Sequence, residues 1–235
     1  MQFNLSQRTR KILISLAAGL MGNLLAYLSS LLTPMHPQVT FDFSHLATFG
    51  IAVAFGPFYG LLTGAIGAIY PYFEFAVWGI WGPAAGLAII FGKAMTGFFC
   101  GLLRNRMPPF LAVTLSFIPE SLFTFGFLQV MAVYLPAGMV NQDMTTSIIT
   151  EGWVEVIMFS FIIETVMRRK VMELAVIMLE IFIIMFLVHK EFTHTLLLLL
   201  LITFTILVLF EIINPRIKNK DIPDSHDGDD PPPTI

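Results

Sequence analysis

The sequence predicts an all-α polytopic membrane protein, a six-helix bundle followed by a two-helix C-terminal extension. Three observations carry that prediction. Of the 235 residues, 56% are hydrophobic and 12% charged, against about 25% charged in an ordinary soluble domain. Apolar runs approaching or exceeding the ~20 residues needed to cross a bilayer recur along the chain. The thirteen Lys and Arg fall mostly in four clusters between those runs: Arg8, Arg10 and Lys11; Arg104 and Arg106; Arg168, Arg169 and Lys170; Arg216, Lys218 and Lys220.

If these clusters share the cytoplasmic side, an even number of spans separates each from the next. Residues 1–10 are then a cytoplasmic N-terminus. Ile12 to Leu32 is the first span. It is read as retained, because Pro34-Met35-His36-Pro37 offers no small-residue cleavage site. Leu46 to Phe55, Phe58 to Tyr70 and Phe75 to Leu103 follow. Reading the Gly56-Pro57 step as a reversal puts Arg104 inside, whereas one continuous helix would put it outside; the reversal is therefore expected. Pro109 to Leu135 and Ile148 to Met167 complete a membrane domain over residues 11–169. Val171 to Val188 and Thr195 to Ile213 make two additional helices within residues 170–213. Residues 214–235, with five Asp and a Pro-Pro-Pro-Thr-Ile ending, are too polar for a core and read as a disordered acidic cytoplasmic tail. The expected location is the plasma (cytoplasmic) membrane, multi-pass, with both termini inside.

The stretch from Asp42 to Tyr72 organises this chain. Gly56, Gly60, Gly64 and Ala68 are spaced by four and share one helix face. Such faces let helix backbones approach closely in lipid. Ala18, Gly22 and Ala26 repeat the spacing on the first span, and Gly97 and Gly101 precede the basic turn at Arg104.

Asp42-Phe43-Ser44-His45-Leu46, Phe55-Gly56-Pro57-Phe58-Tyr59-Gly60 and Gly64 resemble the substrate-binding membrane subunits (S components) of energy-coupling factor (ECF) transporters. The resemblance covers residues 11–169. It implies six helices, capture of a vitamin-like small molecule, and docking on a transmembrane coupling subunit driven by two ATPase subunits. It also implies a docking face of Ala18, Gly22 and Ala26, with the Gly56, Gly60 and Gly64 face as its companion. Where many members carry an acidic residue shortly after the third glycine, this chain has Ala68 and Ile69. The two C-terminal helices lie beyond the family core.

Charged residues inside apolar spans are costly and face a bundle interior or a cavity. Lys93, Glu120 and Glu155 each fall ten to twelve residues from a basic end of their spans, so all three are expected at one depth, roughly 15–18 Å from the inner face. An ion pair of Lys93 with Glu120 or Glu155 is expected, leaving a surplus acid to hold a proton or a cationic group. Glu151 shares a helix face with Glu155. Toward the outer side stand Asp42, His45, Tyr72, Glu74, Trp78 and Trp81. Aromatic rings beside carboxylates suit a flat heterocycle with donor groups; an interfacial aromatic belt also accounts for Tyr and Trp there. The candidate substrate site is therefore Asp42, His45, Tyr72, Glu74, Trp78, Trp81, Lys93, Glu120, Glu151 and Glu155.

Other chemistries find little support. The single cysteine, Cys100, excludes a multi-cysteine metal site, and no metal, cofactor or nucleic-acid partner is expected. No G-x-S-x-G or paired-carboxylate metal motif points to an enzyme. Gly92-Lys93-Ala94 lacks both the earlier glycine and the following Ser or Thr of a phosphate-binding loop, so ATP hydrolysis would belong to a partner. The alternative is a self-sufficient secondary transporter or channel in which Lys93, Glu120 and Glu155 relay protons. The second half shows no convincing repeat of the first, which such transporters commonly have.

Overall fold

The structure, a computed structural model, describes residues 6–32, 34–36, 39–79, 82–135 and 140–168. Trp81, the two C-terminal helices and the acidic tail lie outside the described residues. The first apolar run forms α1, Gln7–Leu32. A short antiparallel ribbon, Pro34–His36 (β1) with Val39–Thr40 (β2), then leads back toward the bundle. Next come α2, Ser44–Phe55, and α3, Pro57–Gly67. A short α4, Ile69–Tyr72, and a π-helical turn, Phe73–Val77, prolong α3. Three long helices follow: α5, Pro83–Leu103; α6, Pro109–Tyr134; and α7, Gln142–Met167.

Among the described residues five helical segments are long and apolar enough to cross a membrane: α1, the run Pro57–Val77, α5, α6 and α7. The chain is thus an all-α polytopic membrane protein. Its surface supports the same conclusion. Leu20, Phe91, Leu122 and Val133 are exposed, whereas Ser15, Thr63, Thr96, Lys93, Glu120 and Glu155 are buried. Apolar outside and polar inside is the arrangement a bilayer favours.

The Gly56-Pro57 reversal is present. Gly56 has φ +104°, a left-handed conformation glycine adopts without strain, and Pro57 begins α3 where its missing N–H costs nothing. The two arms fold back on each other, so that a Cβ on Gly67 would stand 3.9 Å from Ser44 Cβ. Arg104 closes the turn: its guanidinium lies under Gly56 and donates to the Val53 carbonyl at 3.4 Å. This places a positive charge at the C-terminal end of α2.

Two expected boundaries are corrected. The second arm does not stop at Tyr70; it runs on through the π turn to Val77. Phe75 therefore belongs to that span, and α5 starts only at Pro83. Helix α7 begins at Gln142, ahead of Ile148, because Asn141 caps it by accepting from Met144 N–H at 2.8 Å.

Small residues set the packing. Along the antiparallel α3–α5 seam, Gly60 meets the Gly97 carbonyl, Gly64 meets the Lys93 carbonyl and Gly101 meets Pro57. On the other side of α3, Thr63 donates to the Ser15 carbonyl at 3.2 Å, and Gly19 faces Thr63 and Ile66. Asn23 of α1 donates to the Ile66 carbonyl at 2.7 Å and accepts from Tyr70 N–H at 2.7 Å. These contacts run α1 and α3 in parallel. Lys11, Arg104 and Arg168 come to the same end of the bundle. Lys11 stands 6.0 Å from the Phe55 ring, and Glu164, which pairs with Arg168, accepts from Phe110 N–H at 3.0 Å.

Candidate functional site

The site exists because α2 is half a helix. Its twelve residues reach about 18 Å, against a hydrocarbon core of about 30 Å. Starting from the basic end, the arm runs out of length near the middle of its neighbours. Ser44 lies beside Gly22 of α1, Gly67 of α3 and Lys93 of α5. A helix start at that depth leaves N–H groups with no water to receive them. Asp42 accepts from Ser44 N–H at 2.9 Å. The Asp42 N–H itself donates to Glu155 of α7. Two carboxylates thus satisfy the buried start of α2 and complement its dipole.

The remaining charges assemble around this point. The Lys93 ammonium pairs with Asp42 and donates to Ser44 Oγ. His45, the second residue of α2, lies between two carboxylates: Nδ1 is 3.5 Å from Glu155 and Nε2 is 3.8 Å from Glu120. Its ring stacks on Phe49, with centroids 5.7 Å apart. Glu120 of α6 also accepts from the Thr96 hydroxyl. Gly92 makes room for it, since a Cβ there would stand 3.1 Å from Glu120 Oε1. Lys93, Glu120 and Glu155 line one cavity. Their pairing differs from the expected one: the lysine takes Asp42, and the two glutamates take the histidine.

Above this cluster, away from the basic end, opens a cavity of about 150 Å³. Asp42, His45, Lys93, Glu120, Glu151 and Glu155 supply its charged wall. Phe75, Phe117, Phe127 and Ile148 are among its apolar lining residues. Gly152 lets the Phe117 ring lie against α7, and that ring meets Trp153 edge to face at 5.2 Å. Below the cluster, Phe49, Phe159, Ile162 and Ile163 fill the core. Glu151 differs from the other three acids, although both His45 nitrogens, at their longer ion-pair distances, also lack a hydrogen bond. It is 9% exposed, and its buried Oε1 has no hydrogen-bond partner.

Six of the ten residues expected from the sequence therefore meet at one cavity. Tyr72, Glu74 and Trp78 do not line it. Tyr72 packs on Gly86, Glu74 lies near Ser30 and Tyr70, and Trp78 is 71% exposed. Sequence reasoning missed Phe75, Phe117, Phe127 and Thr96. The first three are one aromatic among 23 Phe each, with nothing local to single them out. Thr96 carried a signal, since it sits three residues after Lys93 on the same helix face.

The small-residue faces expected to dock a partner are occupied within the chain. Gly22 and Ala26 are buried; a Cβ on Gly22 would stand 3.3 Å from Ser44 Cβ. Ala18 packs against the core. Gly60 and Gly64 face α5, and Gly56 faces Arg104. Their physical role in this structure is internal close approach.

No family model, curated protein or solved structure matches this chain. The chemistry is therefore read from the geometry. Among the described residues no group of His, Cys, Asp and Glu is arranged to hold a metal ion. The arrangement can bind a small polar molecule within the membrane, holding its polar end on carboxylates and its apolar body between rings.

Proposed function

We propose that this protein is the substrate-capture subunit of an ECF-type importer. It binds a vitamin-like small molecule from the side opposite the basic clusters and relies on a coupling subunit and two ATPase subunits for energy. The observation that carries this reading is a partly open cavity with a charged wall and an apolar lining, separated from the basic end by packed core. A capture subunit needs a site reached from one side only. The alternating helix directions, with Lys11, Arg104 and Arg168 at one end, fit a six-pass arrangement with cytoplasmic basic turns. Docking, on this reading, uses a lipid-facing surface, since the glycine faces are engaged internally.

Reconstitution tests it. The chain alone in liposomes should bind ligand without accumulating it, and accumulation should require the coupling subunit, both ATPases and ATP. Small molecules retained through purification, identified by mass spectrometry, should give the ligand. Accumulation by the chain alone, driven by a proton gradient, would establish the secondary-transporter reading instead.

A further inference from the structure

We propose that the cavity selects an organic monocation: an ammonium- or amidinium-type group held by Glu151, carried on a flat apolar body that lies between Phe75, Phe117 and Phe127. This rests on the reading that the cavity is the substrate site, and it names the class of substrate.

Charge balance is the first argument. Four carboxyl groups, Asp42, Glu120, Glu151 and Glu155, face one ammonium, Lys93, and one imidazole, His45. The cluster uses three of the four. Asp42 holds Lys93 and the Ser44 N–H, Glu155 holds the Asp42 N–H and approaches His45, and Glu120 holds Thr96 and approaches His45. Glu151 is left with a buried oxygen that bonds to nothing. A buried acceptor without a donor is costly, and a ligand N–H placed there removes that cost.

The second argument excludes an anion. Half-helix N-termini near the bilayer midplane characteristically receive anionic substrate groups. Here the start of α2 already faces the chain's own Asp42 and Glu155 carboxylates. An anion arriving at this wall would meet four acids with the helix end and Lys93 already occupied. The rest of the lining is apolar, with Phe75, Phe117, Phe127, Ile148 and Ile149 beside the polar wall. That composition favours one charged end and one flat apolar end, with ring–ring contact to the phenylalanines and, for a delocalised cation, attraction to their faces.

Three ring probes of nearly equal size test this in nanodiscs: benzamidinium, benzamide and benzoate. Benzamidinium is expected to bind at least tenfold more tightly than benzamide, with benzoate weakest, by calorimetry. Glu151→Gln should lower benzamidinium affinity to the benzamide level. A second measurement needs no variant: carbodiimide modification of Glu151 in the unaltered protein, read by peptide mass, should be blocked by benzamidinium and not by benzamide. Equal or tighter binding of benzamide or benzoate overturns the proposal. So does binding of none of the three, a preference that survives in Glu151→Gln, or Glu151 modification that benzamidinium leaves untouched. If the preference holds but the chain alone accumulates cations in liposomes, the capture-subunit reading fails and the cation assignment stands. If uptake needs the partners and proceeds only with neutral or anionic molecules, the reverse is true.

Discussion

Two regions meet at Lys93 and are held together in opposite ways. On one side lies the α3–α5 seam, where Gly60, Gly64, Gly97 and Gly101 bring two backbones into contact with almost no side chain between them. On the other lies the polar cluster, where long side chains from α2, α5, α6 and α7 reach one point. Lys93 belongs to both, since its carbonyl rests against Gly64 while its ammonium pairs with Asp42. The seam holds α5 so close to α3 that the ammonium reaches the start of α2. The cluster is therefore an effect of the seam, and the two should fail differently when altered.

The largest effect is expected in the seam. A Cβ on Gly97 would strike the Gly60 carbonyl, and one on Gly60 would strike the Gly97 carbonyl. Both obstacles are backbone and cannot swing aside. Gly97→Leu should cost at least the upper end of ordinary overpacking, about 3 kcal/mol. Thermal unfolding and monodispersity in detergent should show loss of the folded protein, with ligand binding lost along with it. A variant that folds normally would mean that the seam is not a close backbone contact.

The next effect separates the true partner of Lys93 from the one the sequence suggested. Lys93→Met should destabilise by about 3 kcal/mol, because it leaves Asp42 a largely buried, unpaired charge. Asp42→Asn added to it should recover most of that loss, while keeping an acceptor for the Ser44 N–H. Adding Glu120→Leu should recover none. Recovery by Glu120→Leu instead would return the ion pair to Lys93 and Glu120.

This contrast also marks what was legible. The seam was visible because a four-residue spacing is local: Gly56, Gly60 and Gly64 announce a close-packed face, and Gly56-Pro57 announces a reversal. That Lys93, Glu120 and Glu155 would lie near one another followed from counting residues along single helices. Their pairing did not, because it depends on where α2 begins. Apolarity alone placed Asp42 and His45 in an outer loop. In the structure a twelve-residue arm starts near the bundle's middle, carrying both into the cluster. The contact that Gly22 makes with Ser44 was not legible for a related reason. A small-residue face shows that something approaches, and cannot tell a partner subunit from Ser44 of the same chain.

Gly22 and Asn23 give effects of intermediate size. Gly22→Leu would displace Ser44, which holds Lys93. Ligand affinity and uptake should therefore fall together, by tenfold or more. Loss of uptake with affinity intact would restore a docking role for that face. Asn23→Leu removes a donor to Ile66 and an acceptor for Tyr70 N–H where α3 passes into α4. It should cost about 1–3 kcal/mol in thermal stability, with little change in affinity, since Asn23 does not line the cavity.

The smallest effect is the control that gives the others meaning. Gly126 of α6 is exposed, and a Cβ there would meet nothing within 4 Å. In water, replacing a mid-helix glycine by alanine would stabilise by up to about 1 kcal/mol through propensity alone. In a bilayer the gain is smaller, because the unfolded reference retains transmembrane helix and so already has the backbone order that alanine favours. Gly126→Ala should therefore shift stability by less than about 0.5 kcal/mol and leave affinity unchanged. Gly97→Ala, the same change on the neighbouring helix, should be clearly destabilising, because its one added carbon lies in the path of the Gly60 carbonyl. If both variants behave alike, the difference between the seam and the open helix face is not one of space, and glycine serves this bundle by some means other than close approach.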